Sequence, residues 1–252
     1  MKKYEITDIA HPDNSTLYRI KALIDIPGRG VKAGDLGGYI QSENNLSQDG
    51  NGWVSGNGRV TDNGKVTGNG WVTGYGLVAG YGLVTDNGLV AGNGWVSGNG
   101  RVTDNGRVID NGSVTGNGLV ADNGRVAGYG RVAGYGLVTD NGRVTDNGSV
   151  IDNGSVADNG KVTGNGRVAG YGRVFGDAMI KKPTDILTIS SLGSRNATLT
   201  VLYNKTCATG CFQGTIDEFL AAVKKTHGNN EYAKLYYKAI NFAYEYFDWE
   251  RV

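Results

Sequence analysis

The sequence predicts a mainly β protein: a three-sided parallel β-helix of about seven coils, with an N-terminal cap and a small α+β domain at its C-terminal side. Three observations predict it. Val recurs every six residues from Val54 to Val174, 21 times without a break. Within each interval stands Asn-Gly or Tyr-Gly, which is turn chemistry. Columns of like residues then repeat at a step of 18 and break at a step of 12.

Written from its Val, the hexad reads Val, small or Thr, Gly or Asp, Asn or Tyr, Gly, variable. An amphipathic helix needs apolar residues at i, i+3, i+4 and i+7, and this pattern does not supply them. Short strands alternating with tight turns make a solenoid whose coils hydrogen-bond to one another. A disordered Gly-rich linker is the alternative, and the unbroken Val ladder argues against it.

The columns set the coil. Asp86, Asp104, Asp122, Asp140 and Asp158 share one column, each followed by Asn. The residue before Val gives Trp53, Trp71, Leu89, Arg107, Arg125, Arg143 and Lys161 at the same step of 18. Three hexads therefore make one triangular coil. Each coil points only three Val inward, so the core is thin. Both ends are open sheet edges that must be covered.

Three regions follow: a cap at 1–51, the repeat at 52–180 and a C-terminal domain at 181–252. Upstream, Ile40 and Leu46 keep the beat before two extra residues precede Val54, and Ile180 continues it once. In the head, "LYRIKALIDI" alternates as a strand. The tail opens with two expected strands, "DILTISSLG" and "ATLTVLYNK". "TIDEFLAAVKKTHG" is a helix with a capping-box pattern at Thr215 and Glu218 and a stop at Gly228. "NEYAKLYYKAINFAYEYFDWERV" is a second helix, rich in aromatics.

The hexad resembles that of the left-handed parallel β-helix of hexapeptide-repeat proteins, and left-handedness is what the resemblance implies. Those proteins carry a small residue two places before the inward aliphatic one. Here it is Gly from Gly52 to Gly172, and Ala only at Ala178. The lead-in "VKAGDLGGYI…NLSQ" and the tail "SLGSRNATLT…GCFQGTIDEFLAAVKKTHG" resemble an uncharacterised family of bacteria and their phages. That resemblance covers almost the whole chain and brings a fold without an activity.

Composition narrows function. A net charge of +1 gives no reason to expect nucleic acid. No stretch reaches 18 apolar residues, so no membrane span is expected. "MKKYEITDIAHPDNSTLYRI" lacks the apolar region of a signal peptide, and two Cys do not make a disulfide scaffold, so a cytoplasmic protein is expected.

Many hexapeptide β-helices are transferases that need a His as base, or hold three His around a metal. This chain has only His11 and His227, both outside the coils. No catalytic residue, metal or cofactor is therefore assigned. The expected function is a non-enzymatic rod that self-associates or binds a protein or small-ligand partner, of phage or prophage setting. A transferase-like enzyme with a site between subunits is the alternative.

The candidate binding residues are Trp53, Trp71 and Trp95, expected to face outward and drive homo-oligomerisation, together with Ser194, Arg195 and Asn196. The last three form a polar turn between strands whose donors suit an anion. Leu77 is expected beside Trp95. The Asp column is read as neutralising the Arg and Lys column three residues on. Cys207 and Cys211 are read as buried, reduced thiols, and Asp217 with Glu218 as first-turn helix carboxylates.

Overall fold

The computed structural model describes residues 1–250; Arg251 and Val252, the end of the predicted tail region, lie outside the described residues. The chain is a β-solenoid of stacked parallel coils with a small antiparallel sheet and two helices at its C-terminal end.

The head comprises β1 (Tyr4–His11), β2 (Asn14–Ala22) and β3 (Leu36–Ile40). The coils contribute two-residue strands from β4 (Trp53–Val54) and β5 (Arg59–Val60) through to β25 (Met179–Ile180). They stack into three parallel faces, and every pairing joins residues 18 apart, as in Arg107↔Arg125 and Val108↔Val126. Every Val of the ladder is at most 1% exposed. The face that starts at β4 has eight strands. The Val ladder by itself counts seven coils, and the lead-in adds one: Ile40 pairs with Val60 and Leu46 with Val66, so Ile40, Leu46 and Val54 form the first coil. At ~4.8 Å per step the eight coils span roughly 34 Å.

One hexad shows how the backbone is satisfied. The Asn123, Arg125 and Ala127 N–H groups donate to Asp140, Gly142 and Val144 of the next coil at 2.8, 2.9 and 2.9 Å. The Gly124 N–H closes its own turn onto Ala121 at 2.8 Å. The left-handed residue of each turn is not the Gly of Asn-Gly. It is the Gly or Asp before Asn or Tyr, as at Asp122 (φ 52) and Gly128 (φ 59). Asp is among the few residues that tolerate this region, which is why Gly and Asp alternate there.

The Gly after Asn answers to a different constraint. A Cβ on Gly148 would stand 2.5 Å from the Val162 carbonyl oxygen of the next coil. Coil spacing therefore leaves room for hydrogen only. Ala178 is the exception that the geometry explains, because it sits in the last coil and no further coil stacks on its strand.

Both ends are covered. At the N-terminal end Tyr4, Ile20, Ile26 and Trp53 join the Val core. Lys3 is 2% exposed and donates to the carbonyls of Gly52 and Gly50 at 2.9 and 3.3 Å. Its pKa is lowered by burial to about 8. At the other end lies a meander of four strands, two more than expected: β26 (Ile186–Leu192), β27 (Ala197–Leu202), β28 (Thr206–Thr209) and β29 (Phe212–Thr215). "CATGCFQGT" hides a hairpin whose turn is Gly210-Cys211. Ile186, Leu202 and Ala208 close the Val core. The opposite face, with Leu199, Val201 and Cys207, packs on α1 (Ile216–His227) and α2 (Glu231–Tyr246). The Thr215–Glu218 capping box is formed.

Two outcomes test this account. Gly148→Ala is expected to destabilise the protein by ~1–3 kcal/mol through overpacking against Val162, whereas Ala178→Gly is expected to cost ~1 kcal/mol or less; urea midpoints of the two variants decide it. Deleting residues 105–122 removes one whole coil and keeps every column aligned. Deleting 105–116 leaves a coil with a missing side, so the shorter deletion is expected to lower the melting temperature more.

Candidate functional site

The outward tryptophans divide. Trp53 is 1% exposed, not outward-facing as expected: the head lies over it, with Tyr4 edge-on at 6.4 Å. Trp71 is half-buried. The Arg29 guanidinium covers its ring at 5.0 Å, and its indole N–H donates to Ser55 Oγ at 3.0 Å. Their apolar surface is thus buried by the chain's own head. Trp95 alone remains 47% exposed, directly paired with Leu77 as expected. Tyr75 and Tyr81 stand at the two corners that flank Leu77, 61% and 66% exposed.

The Asp column does not pair with the basic column. The three ion pairs among the described residues all lie in the head. The left-handed backbone turns the Asp carboxylates along the stack instead. The Asp140 and Asp158 N–H groups donate to Asp122 and Asp140 at 3.4 and 3.3 Å, and the Gly176 N–H to Asp158 at 3.0 Å. Beside them the Asn side chains form a ladder from Asn69 through Asn87, Asn105, Asn123, Asn141 and Asn159 to Asp177.

The richest chemistry lies in the C-terminal domain. An antiparallel meander puts alternate turns at the same end of its sheet. The β26–β27 turn, which carries Ser194 and Arg195, therefore lies beside the β28–β29 turn, which carries Cys211. The helices wall the space behind them. The result is a cleft of about 300 Å³ whose lining includes Ser194, Arg195, Thr209, Cys211, His227 and Tyr236. Its apolar floor is Ala197, Phe212, Phe219 and Val223. Asn196 does not line it; with φ 50 it closes the turn by donating from its N–H to the Gly193 carbonyl at 3.2 Å.

The two cysteines have opposite environments. Cys207 is buried, and desolvation raises its pKa to about 12. Cys211, expected to be buried, is exposed at the hairpin turn because Gly210-Cys211 projects from the sheet. Arg195 Nη1 donates to its sulfur at 3.2 Å, and that bond, with the guanidinium charge, lowers the thiol pKa. The turn is held from the solenoid: Arg173 donates to the Gly210 carbonyl at 3.0 Å and to Gln213 at 3.4 Å.

Thr209 is 9% exposed, and its buried hydroxyl has no hydrogen-bond partner. His227, at the end of α1, packs on Tyr236 at 5.9 Å. His11 is far from this chemistry, stacked edge-on with Tyr39 in the head.

No family model matches the chain, and no curated protein does. No helix among the described residues is long and apolar enough to cross a membrane. The cleft must be read from its own residues. Sequence reasoning singled out Ser194 and Arg195 and missed Cys211, Thr209 and His227 as their neighbours. The alternation in "TCAT" and "FQGT" around Gly-Cys was the signal that would have joined them.

Because Arg195 lowers the Cys211 pKa, thiolate reactivity is present above that lowered value and is lost as pH falls through it. Iodoacetamide alkylation of Cys211, followed by peptide mapping, is expected to reach half its maximal rate below the ~8.5 of an ordinary thiol. Arg195→Gln is expected to move that half-point up. An unchanged midpoint in the variant would show that the guanidinium does not tune the thiol.

Proposed function

We propose that the protein is a structural and binding protein, a rigid β-solenoid rod that self-associates through one face and presents its C-terminal domain to partners. The observation that carries the reading is the exposed Trp95 ring, paired with Leu77, which the exposed Tyr75 and Tyr81 flank. Exposed apolar clusters of this kind mark interaction surfaces.

The same face suits a second copy. Its outward residues run Arg59, Leu77, Trp95, Ser113, Arg131, Ser149, Arg167 along the stack. A two-fold axis at Ser113 would set Trp95 of each copy against Arg131 of the other, a cation–π pairing repeated twice by symmetry. Tyr129 and Tyr135, both strongly exposed, flank Arg131 as Tyr75 and Tyr81 flank Leu77. The lead-in and tail motifs support a bacterial or prophage setting, and the sparse, unpaired cysteines support the cytoplasm.

Light scattering at tens of micromolar is the test. The wild type is expected to be a dimer or larger, and Trp95→Ser to weaken assembly about tenfold or more. Trp71→Ser, whose ring Arg29 already covers, is expected to leave assembly unchanged. A monomer at every concentration would remove the self-association reading.

A further inference from the structure

We propose that the C-terminal cleft is a reaction site for a small organic hydroperoxide, which oxidises Cys211 while Arg195 and Thr209 hold its oxygens. The inference stands apart from the association reading, which concerns a different face of the molecule.

Four features converge. Cys211 is exposed at the mouth of the cleft, with a guanidinium 3.2 Å from its sulfur. Thr209 lines the same cleft, and its enclosed hydroxyl lacks any partner, a cost that a bound oxygen would remove once the side chain turns toward it. The floor is apolar, and the volume of about 300 Å³ suits a ligand with a small aromatic or branched body. No carboxylate is among the described residues that line it, so nothing repels the charge that develops on a departing oxygen.

This donor set fits a ligand with two adjacent oxygens. One is attacked by sulfur, and the other leaves as an alkoxide. The thiolate gives an electron pair to the terminal oxygen, the S–O bond forms and the O–O bond breaks. The alkoxide takes a proton from solvent and leaves as the alcohol. Sulfur is oxidised by two electrons to the sulfenic acid, and the hydroperoxide is reduced by two. Cys207 does not resolve this product, since it is buried in the core with its thiol strongly protonated. Return to the thiol uses a small-molecule thiol. One equivalent forms a mixed disulfide with loss of water, and a second releases Cys211.

The test uses the full-length protein with cumene hydroperoxide and hydrogen peroxide, trapping sulfenic acid with dimedone and locating it by peptide mass spectrometry. Cys211 is expected to react with cumene hydroperoxide at least about a hundredfold faster than free cysteine at the same pH, and faster than with hydrogen peroxide. Thr209→Val is expected to slow that reaction about tenfold while leaving iodoacetamide alkylation unchanged, and Thr209→Ser to restore it. Arg195→Gln is expected to slow both reactions. A wild-type rate equal to that of free cysteine overturns the proposal, and so does a Thr209→Val rate equal to wild type. Because the first comparison needs no variant, a misfolded variant leaves the proposal open to refutation.

Discussion

The spacing between coils governs this molecule. Parallel pairing at a step of 18 brings most Val carbonyls close to the Gly four places after the paired Val of the preceding coil, leaving little space for a methyl group. Gly is thereby fixed once in every hexad. With that place lost to side chains, the inward positions offer little beyond Val, and the core cannot be widened. Hydrophobic burial per coil stays small, and cohesion falls on the backbone ladder, whose bonds repeat at about 2.6–3.2 Å along the stack. A structure of this kind tolerates variation wherever the ladder does not look: the residue before Val, and the corner place shared by Asn and Tyr.

The same constraint makes the ends decisive. A ladder has no natural stop, and an uncovered coil is an edge that pairs with whatever meets it. The head resolves this with apolar cover from Tyr4, Ile20 and Ile26, and with Lys3 turned inward onto carbonyl groups. The tail resolves it with a sheet that has two apolar faces. Leu202 and Ala208 point to the coils, while Val201 and Cys207 point to the helices. Strand alternation at neighbouring positions thus joins two cores through one sheet.

The solenoid was legible because its signals are local and repeated. The Val beat gives the strands, the Asn column gives the step of 18, and both survive in the structure without a break. What was not legible depends on contacts distant in sequence. Nothing near Trp53 announces that residues 4 and 20 will cover it. The charge columns misled for a different reason. Asp140 and Arg143 are close along the chain, but the left-handed turn aims the carboxylate at the backbone of the next coil. The cleft lay between these cases. Its Ser194-Arg195 turn was visible, whereas Cys211 became its neighbour only through a hairpin with four-residue strands, too short to stand out beside the longer β26 and β27.

The cleft and the rod are joined at one place. Arg173, in the last coil, bonds to Gly210 and Gln213, and Gln213 reaches back to Asp158 at 3.2 Å. The thiol-bearing turn is therefore positioned by the meander on one side and by the end of the prism on the other. Residues of coils before the last two take no part in these bonds. In a stack governed by nearest neighbours, coils can be gained or lost in whole units of 18 without disturbing the terminal interface. The length of the rod and the geometry of the cleft are then independent properties of the chain. Such a design lets the reach of the protein change while the chemistry at its tip stays fixed.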